Sequence, residues 1–321
     1  MTVRTRKPTG LPAWPLILVE GEEKAGKTFL SLALSASEKV GRTFAFDLGD
    51  GTADEYAELG PYEVVDLNGT YSDLRAQVDA VCDEPRVDPD RPNVVVIDSG
   101  TQMWDSLKAW ADTRARSSRT AKEKLAKDPD AEIDTSMNYW NDSKDRWAGI
   151  VGRLRRWDGI AIITAQGGEV AEVQNGRPTG RSVWSVQSEK TLPANVTAWV
   201  RVKRDPRSAT LVAVRRLNVD VPRNGLSLPM ENTLEHLVFD VIGAGGFGAV
   251  NAKGQVVGIP IAQAKGRVLD AVRLAYPDLE EAEAKKAAGE AWASSGLSGD
   301  EIAPEPLADL LATIATEAPD A

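Results

Sequence analysis

With one cysteine and one histidine among 321 residues, two large classes drop out at once. The lone thiol, Cys82, cannot build a disulfide framework within the chain and fits a reducing compartment, so the expected location is the cytosol. The lone imidazole, His236 in EHLVFDVI, has no Cys/His cluster around it in sequence to make a zinc site and is expected to pack or hydrogen-bond locally. No apolar run approaches the roughly 18 residues of a membrane-crossing helix, so no membrane partner is expected. The basic start, MTVRTRKPTG, precedes only the short apolar stretch Leu16 to Val19, which ends in Glu20 and a glycine loop. That reads as a buried strand and not as a signal peptide. Basic residues are outnumbered, 38 against 48 acidic, for a net charge of -10, the wrong sign for a protein coated in basic surface. The charge is uneven, however. Acids concentrate from Asp278 to Glu283 and from Asp300 to Asp320. Bases gather between Arg114 and Lys127, from Arg153 to Arg156 and from Arg201 to Arg216.

What is present is an alternation of strands and helices. Apolar runs at Leu16–Val19, Thr43–Phe46, Glu63–Leu67, Asn93–Ile97 and Gly159–Ala165 read as strands. Helical spacing over Lys27–Lys39, Tyr71–Val81, about 101–115 and about 137–157 reads as helices between them. Near-continuous apolar strands in such an order predict an α/β fold with a mainly parallel sheet covered on both faces. The Trp residues at 104, 110, 140, 147 and 157 fall mostly on these helices and are expected in the core. After residue 167 the pattern changes. Gly167 to Arg181 is polar and glycine-rich without periodicity, which predicts a loop; Val196–Val202 and Thr210–Leu217 follow as strands, and from Ile261 the spacing is helical. There are no internal repeats. The expected organisation is a flexible arm over residues 1–12, a core over 13–245 and a small, helical, acidic C-terminal region over 246–321.

The most specific motif is GEEKAGKT, comprising Gly21, Glu22, Glu23, Lys24, Ala25, Gly26, Lys27 and Thr28, with Phe29 following. It fits G-x-x-x-x-G-K-[ST] and sits between a strand and a helix, where the motif requires. Glycines let the backbone curl so that successive amides point at phosphate oxygens. Lys27 is expected to reach the β- and γ-phosphates and Thr28 to ligate Mg²⁺ through its hydroxyl. The expected cofactors are ATP and Mg²⁺. NVVVIDSG, from Asn93 to Gly100, supplies a buried strand ending in Asp98, a carboxylate placed to join the magnesium shell. Residue 99 is Ser and not the Glu that an AAA+ protein carries after this Asp, and no N-K-x-D motif marks a GTPase.

Together GEEKAGKT, FAFDLGDGT, VVVIDSGTQMW, YWNDSKDRWAGIVGRLRRW and IITAQGGEV resemble the RecA-like recombination ATPases, in particular phage-encoded RecA-core proteins that include single-strand annealing proteins. The resemblance spans residues 14 to 217 or so. It implies a RecA-like P-loop core and gives Gln166, at the end of IITAQ, the part of γ-phosphate sensor at the start of a mobile segment. The family carries a water-activating glutamate just after the second strand. Here Gly49 stands at that position, with Asp50 one residue on and Asp47 the other candidate.

Family DNA contacts follow the sensor, which here points to Arg177 and Arg181 for phosphates and Trp184 for base stacking. The charged segment Arg114 to Lys127 is a second candidate. Family active sites lie between subunits, where a neighbour inserts cations; Lys203 and Arg204 occupy the expected region, with Arg201, Arg215 and Arg216 as alternatives. The partners implied are single-stranded DNA, further copies of the chain in a ring or filament, and a single-strand binding protein. Four functions stay open: a DNA-dependent ATPase of recombination, an ATP-switched annealing or recruiting protein with weak turnover, a helicase-type motor, and a small-molecule kinase. The last would need an Arg-rich lid, and Arg153, Arg155 and Arg156 lie instead on an expected helix.

Overall fold

A computed structural model describes residues 12–49, 51–88, 90–174, 177–244, 259–277, 279–299, 301–302 and 304–316. The chain divides into two compact units, Met1–Lys253 and Gly254–Ala321.

In the first unit the expected apolar runs become strands. They are β1 (Leu16–Gly21), β2 (Thr43–Asp47), β3 (Glu63–Val64), β4 (Val94–Asp98) and β5 (Ile160–Gln174). Between them lie α1 (Lys27–Ala33), α2 (Thr52–Glu55), α3 (Tyr71–Asp83), α4 (Gly100–Arg116), α5 (Arg119–Lys127) and α6 (Met137–Arg156). β6 (Arg177–Gln187), α7 (Leu192–Asn195), β7 (Ala198–Lys203), β8 (Ser208–Val214), β9 (Leu226–Leu228) and α8 (Thr233–Glu235) complete the unit. The strands form one sheet in the order β3-β2-β4-β5-β1-β7-β8-β9, with β6 paired to β5 alone. From β3 to β7 every pairing on this path is parallel, and β5–β6, β7–β8 and β8–β9 are antiparallel. The α/β class with a mainly parallel sheet is therefore observed.

Residues of the central strands alternate between two cores, because side chains on a strand point to opposite faces. Ile17, Val19, Val94, Val96, Ile160 and Ile162 face the core shared with Leu30 and Leu32 of α1 and with Leu234 of α8. Leu16, Leu18, Val95, Ile97, Ala161 and Ile163 face the opposite core, shared with Val78 of α3, Leu107 of α4 and Trp147 of α6. Both faces being covered, these strands show no polar alternation in sequence, as a parallel sheet demands. Trp147 and Trp157 are buried as expected, and Trp147 meets Trp104 edge to face at 5.9 Å. Trp110 and Trp140 are only half-buried.

Two expectations need correction. The helix expected over Lys27–Lys39 ends at Ala33 and passes into a 3₁₀ turn, Leu34–Ala36. Ser35 there donates to the Leu32 carbonyl, the local bond by which serine competes with helix continuation. The loop expected over Gly167–Arg181 is instead an antiparallel hairpin of β5 and β6, with Gly167 opposite Val186 and Gln174 opposite Arg177. Residues 168–173 and 177–183 lie outside both cores and most are exposed, so no apolar period is required of them, and that is the signal by which strands are read.

Among the described residues the second unit holds three helices, α9 (Ile261–Ala275), α10 (Glu281–Ser295) and α11 (Pro304–Thr316), as the helical spacing predicts. Val268, Val272, Ala284, Ala288, Leu307 and Ile314 form its core. A short antiparallel pair, β10 (Ile259–Pro260) with β11 (Glu301–Ile302), was not anticipated. No helix among the described residues is long and apolar enough to cross a membrane.

Cys82 sits on the buried face of α3 at 8% exposure, and burial pushes its thiol up to about 12. The thiolate is the reactive form, so native protein should resist alkylation at pH 8. Labelling should track urea unfolding, read by mass spectrometry. Rapid labelling of folded protein would mean that α3 is not packed as described.

Candidate nucleotide site

The centre of the sheet delivers the glycine loop. β1 lies between β5 and β7, parallel to both, and all six of its residues are buried. A methyl group on Gly21 would come within 2.0 Å of the Val202 carbonyl oxygen, so only glycine allows this approach of β7. The chain then curls through Lys24 at φ 57° and Gly26 at φ 94°, left-handed backbone that favours glycine at the second position. Lys27 opens α1. Its Nζ donates to the carbonyls of Gly21 at 3.1 Å and Glu22 at 2.7 Å, so the ammonium lies within the loop's own curve. Burial lowers the Lys27 pKa, while Asp98, Glu20 and Glu23 oppose that shift in decreasing order. Thr28 stands in the first turn of α1, and Phe29 meets Tyr56 edge to face at 6.2 Å.

The partners expected from distant sequence arrive at the same edge. β5 runs between β1 and β4, which sets Gln166 directly opposite Gly21 in register. The Gln166 amide N–H donates to Thr101 Oγ1 at 2.9 Å, and its side chain is exposed. Asp98 ends β4 beside Asp47 of β2 and accepts a hydrogen bond from the Thr164 hydroxyl of β5. Lys27, Thr28, Asp98 and Gln166 thus meet at the carboxyl ends of parallel strands, the crevice where open α/β sheets hold ligands. Asp50 lies outside the described residues. Asp47 spends its carboxylate on the turn, accepting from Gly49 N at 3.2 Å and Ala53 N at 2.9 Å.

Two residues missed in the sequence belong to this region. Glu20, the last residue before the loop glycine, is a carboxylate at 0% exposure inside the sheet. It accepts from Trp184 Nε1 at 2.9 Å, Trp199 Nε1 at 3.0 Å and Arg201 Nε at 2.7 Å. The Arg201 guanidinium also lies 4.2 Å from the Trp184 ring centroid and 5.5 Å from that of Trp199. A charge at the end of an apolar run was the available hint, since a buried carboxylate demands such partners. The other is Arg207, in the turn joining β7 to β8. Its Nη2 would lie 3.9 Å from a methyl on Gly26, and its guanidinium is 5.6 Å from the Phe29 ring.

The remaining candidates are spread out. Lys203 and Arg204 are exposed at the end of β7, on the loop side of the sheet. Arg201 is held by Glu20, and Arg215 donates to the Val196 carbonyl at the opposite sheet edge. Arg177 and Arg181 are exposed on β6, whereas Trp184 is half-buried at the hairpin base, tied to Glu20 and Arg201. Within Arg114–Lys127, Arg116 pairs with Asp112 and Arg119 with Glu123. His236 bonds Asp240 one turn away at 2.9 Å, the local role expected of it.

A GxxxxGK[ST] loop between the central strand and its helix, with a strand-end aspartate two strands away, defines an α/β protein of P-loop architecture. No protein-family model matches the chain, and no characterised protein matches it in sequence. Among solved structures it is similar to an ATPase from the type III secretion system of pathogenic bacteria, at 11% identity over 94% of this chain and 80% of that one, with a TM-score of 0.34. It is similar to the RadB recombinase at 16% identity over 68% and 87% of the two chains, with a TM-score of 0.36. The type III secretion ATPase EscN of enteropathogenic E. coli gives 12% identity over 94% and 67%, with a TM-score of 0.33. At such distances the chain's own strand order and loop carry the assignment.

Removing Arg201 would leave the buried Glu20 carboxylate without its counter-charge. Arg201→Ala should therefore cost about 3–5 kcal/mol of stability, measured by urea unfolding. Loss of the exposed Arg119–Glu123 pair by Arg119→Ala should cost at most about 1 kcal/mol. Equal losses would show that Glu20 is solvated.

Proposed function

We propose that this chain is a RecA-like ATPase that binds ATP with Mg²⁺, hydrolyses it, assembles with further copies of itself and acts on single-stranded DNA. The observation that carries the nucleotide part is the convergence of Lys27, Asp98 and Gln166 on one strand-end crevice, with Gln166 in register beside the first loop glycine. Loop amides and Lys27 would hold the phosphates. Arg207, beside Gly26, would add a second positive group from the same chain. Magnesium suits the donors present: a hydroxyl from Thr28 and a carboxylate from Asp98 are hard oxygen ligands, completed by phosphate oxygens and water. When bound, Mg²⁺ would neutralise phosphate charge. Gln166 would donate its amide to a terminal phosphate oxygen and lose that bond when the phosphate leaves.

The DNA part rests on the hairpin. It follows Gln166 without interruption and carries Arg177 and Arg181 in the open. At its base Trp184 donates to Glu20 of the strand that bears the loop. Contact of the arginines with phosphates, and of Trp184 with a base, would then be felt at the nucleotide site through that carboxylate. Lys203 and Arg204 would serve a neighbouring subunit. Gly49, where a glutamate activates water in the resembled family, favours a second reading in which ATP is chiefly a switch for annealing or recruitment.

Calorimetry with Mg²⁺ should show ATP binding by the parent and none by Lys27→Ala, with Asp98→Asn losing the magnesium dependence. Equal affinity in Lys27→Ala would dismiss the nucleotide reading. Fluorescence anisotropy with a labelled single strand should show binding that falls as salt rises. Arg177→Ala with Arg181→Ala should reduce the slope of log affinity against log salt by about 0.7 per lost contact. No binding at low salt, with or without an ATP analogue, would leave an ATPase with another target.

A further inference from the structure

The edge that holds Lys27, Asp98 and Gln166 contains one more polar group, which no motif singles out. Gln102 lies in the first turn of α4, whose start is fixed by Ser99: the Gln102 amide N–H donates to Ser99 Oγ at 3.2 Å. Ser99 Oγ in turn donates to Gln102 Oε1 at 3.2 Å, which sets the side chain. That side chain reaches across to the turn after β2. A methyl group on Gly49 would fall 2.3 Å from Gln102 Nε2 and 3.1 Å from Oε1, so the amide occupies the volume that a side chain at position 49 would need. The turn is pinned beside Asp98, because Leu48 N–H donates to the Asp98 carbonyl at 2.7 Å. Asp47 has both carboxylate oxygens committed to turn amides, so it does not compete for the space.

We infer that Gln102 is a catalytic residue that positions the water attacking ATP, reaching from α4 into the place left open by Gly49. The inference rests on the reading of this crevice as a site of ATP hydrolysis. An amide carries both an acceptor and a donor, so Gln102 can accept from the water and donate to a γ-phosphate oxygen. It cannot take a proton. The water oxygen forms its bond to the γ-phosphorus as the bond to the β–γ bridging oxygen breaks. ADP leaves with that electron pair, and the water's proton passes to an oxygen of the departing phosphate. Positioning without a base is consistent with Asp47 being tied up, and it explains why Gly49 is small: a side chain there would displace the amide.

The test uses the full chain and five variants: Gln102→Ala, Gly49→Ala, their double, Asp50→Asn, and Lys27→Ala as the background. Steady-state turnover is read together with ATP affinity by calorimetry and thermal unfolding. Gly49 is outside the left-handed region, so alanine there meets the Gln102 amide and not a backbone restriction. Each single change should lower kcat on the order of 100-fold, with ATP affinity and unfolding midpoint unchanged. The double variant should be no slower than either single one, since both remove the same contact. Turnover by Gln102→Ala at the parental rate overturns the inference, as does multiplication of the two single effects in the double. Loss of turnover in Asp50→Asn alongside an active Gln102→Ala overturns it in favour of a carboxylate base. A parent no faster than Lys27→Ala overturns this inference and the hydrolysis reading together; an active parent with an unimpaired Gln102→Ala overturns this inference alone.

Discussion

A fully buried carboxylate at the end of the central strand is the constraint around which the first unit is organised. β1 has a neighbour on each side and a core on each face, yet its last side chain before the loop glycine is Glu20. Such a charge persists in the sheet only if donors surround it. Two indole N–H groups and a guanidinium, from β6 and β7, meet that demand. The three donors fix where the hairpin leaves the sheet and hold β7 close enough that Gly21 must be glycine. The geometry of the loop thus follows from electrostatics one residue upstream of it.

The same carboxylate shapes the field at the loop. It faces Arg201 directly and, with Asp98 and Glu23, opposes the lowering of the Lys27 pKa that burial causes. Arg207 arrives by another route, carried there by the turn between β7 and β8. Sequence-distant cations therefore reach one end of the sheet because β7 runs parallel to β1 and stops at the same edge.

What could be read beforehand divides along physical lines. The strands Leu16–Val19, Thr43–Phe46, Asn93–Ile97 and Gly159–Ala165 were legible because both faces of each are buried, leaving unbroken apolar runs. The loop Gly21–Thr28 was legible because backbone curl and phosphate geometry admit few residue types. Asp98 follows as a strand-end carboxylate and Gln166 from the resemblance, and both lie at the loop's edge. The hairpin reads as a loop because its outer part, up to Val183, is exposed on both faces. Glu20, Arg207 and Gln102 are not legible because their importance lies in pairings across 164 to 181 positions of chain or in the volume of a missing side chain. No local pattern encodes either.

The hairpin carries one more consequence. β6 pairs with β5 only, so an eleven-residue strand presents an open row of main-chain groups. Such rows invite another chain to add a strand, the route by which sheets grow without limit. Here Pro178 withholds a donor, Gly180 at φ 76° departs from extended backbone, and Arg177 and Arg181 bring like charge to any identical edge that approaches. The proline, the left-handed glycine and the paired arginines thus break up the regular edge that strand addition needs.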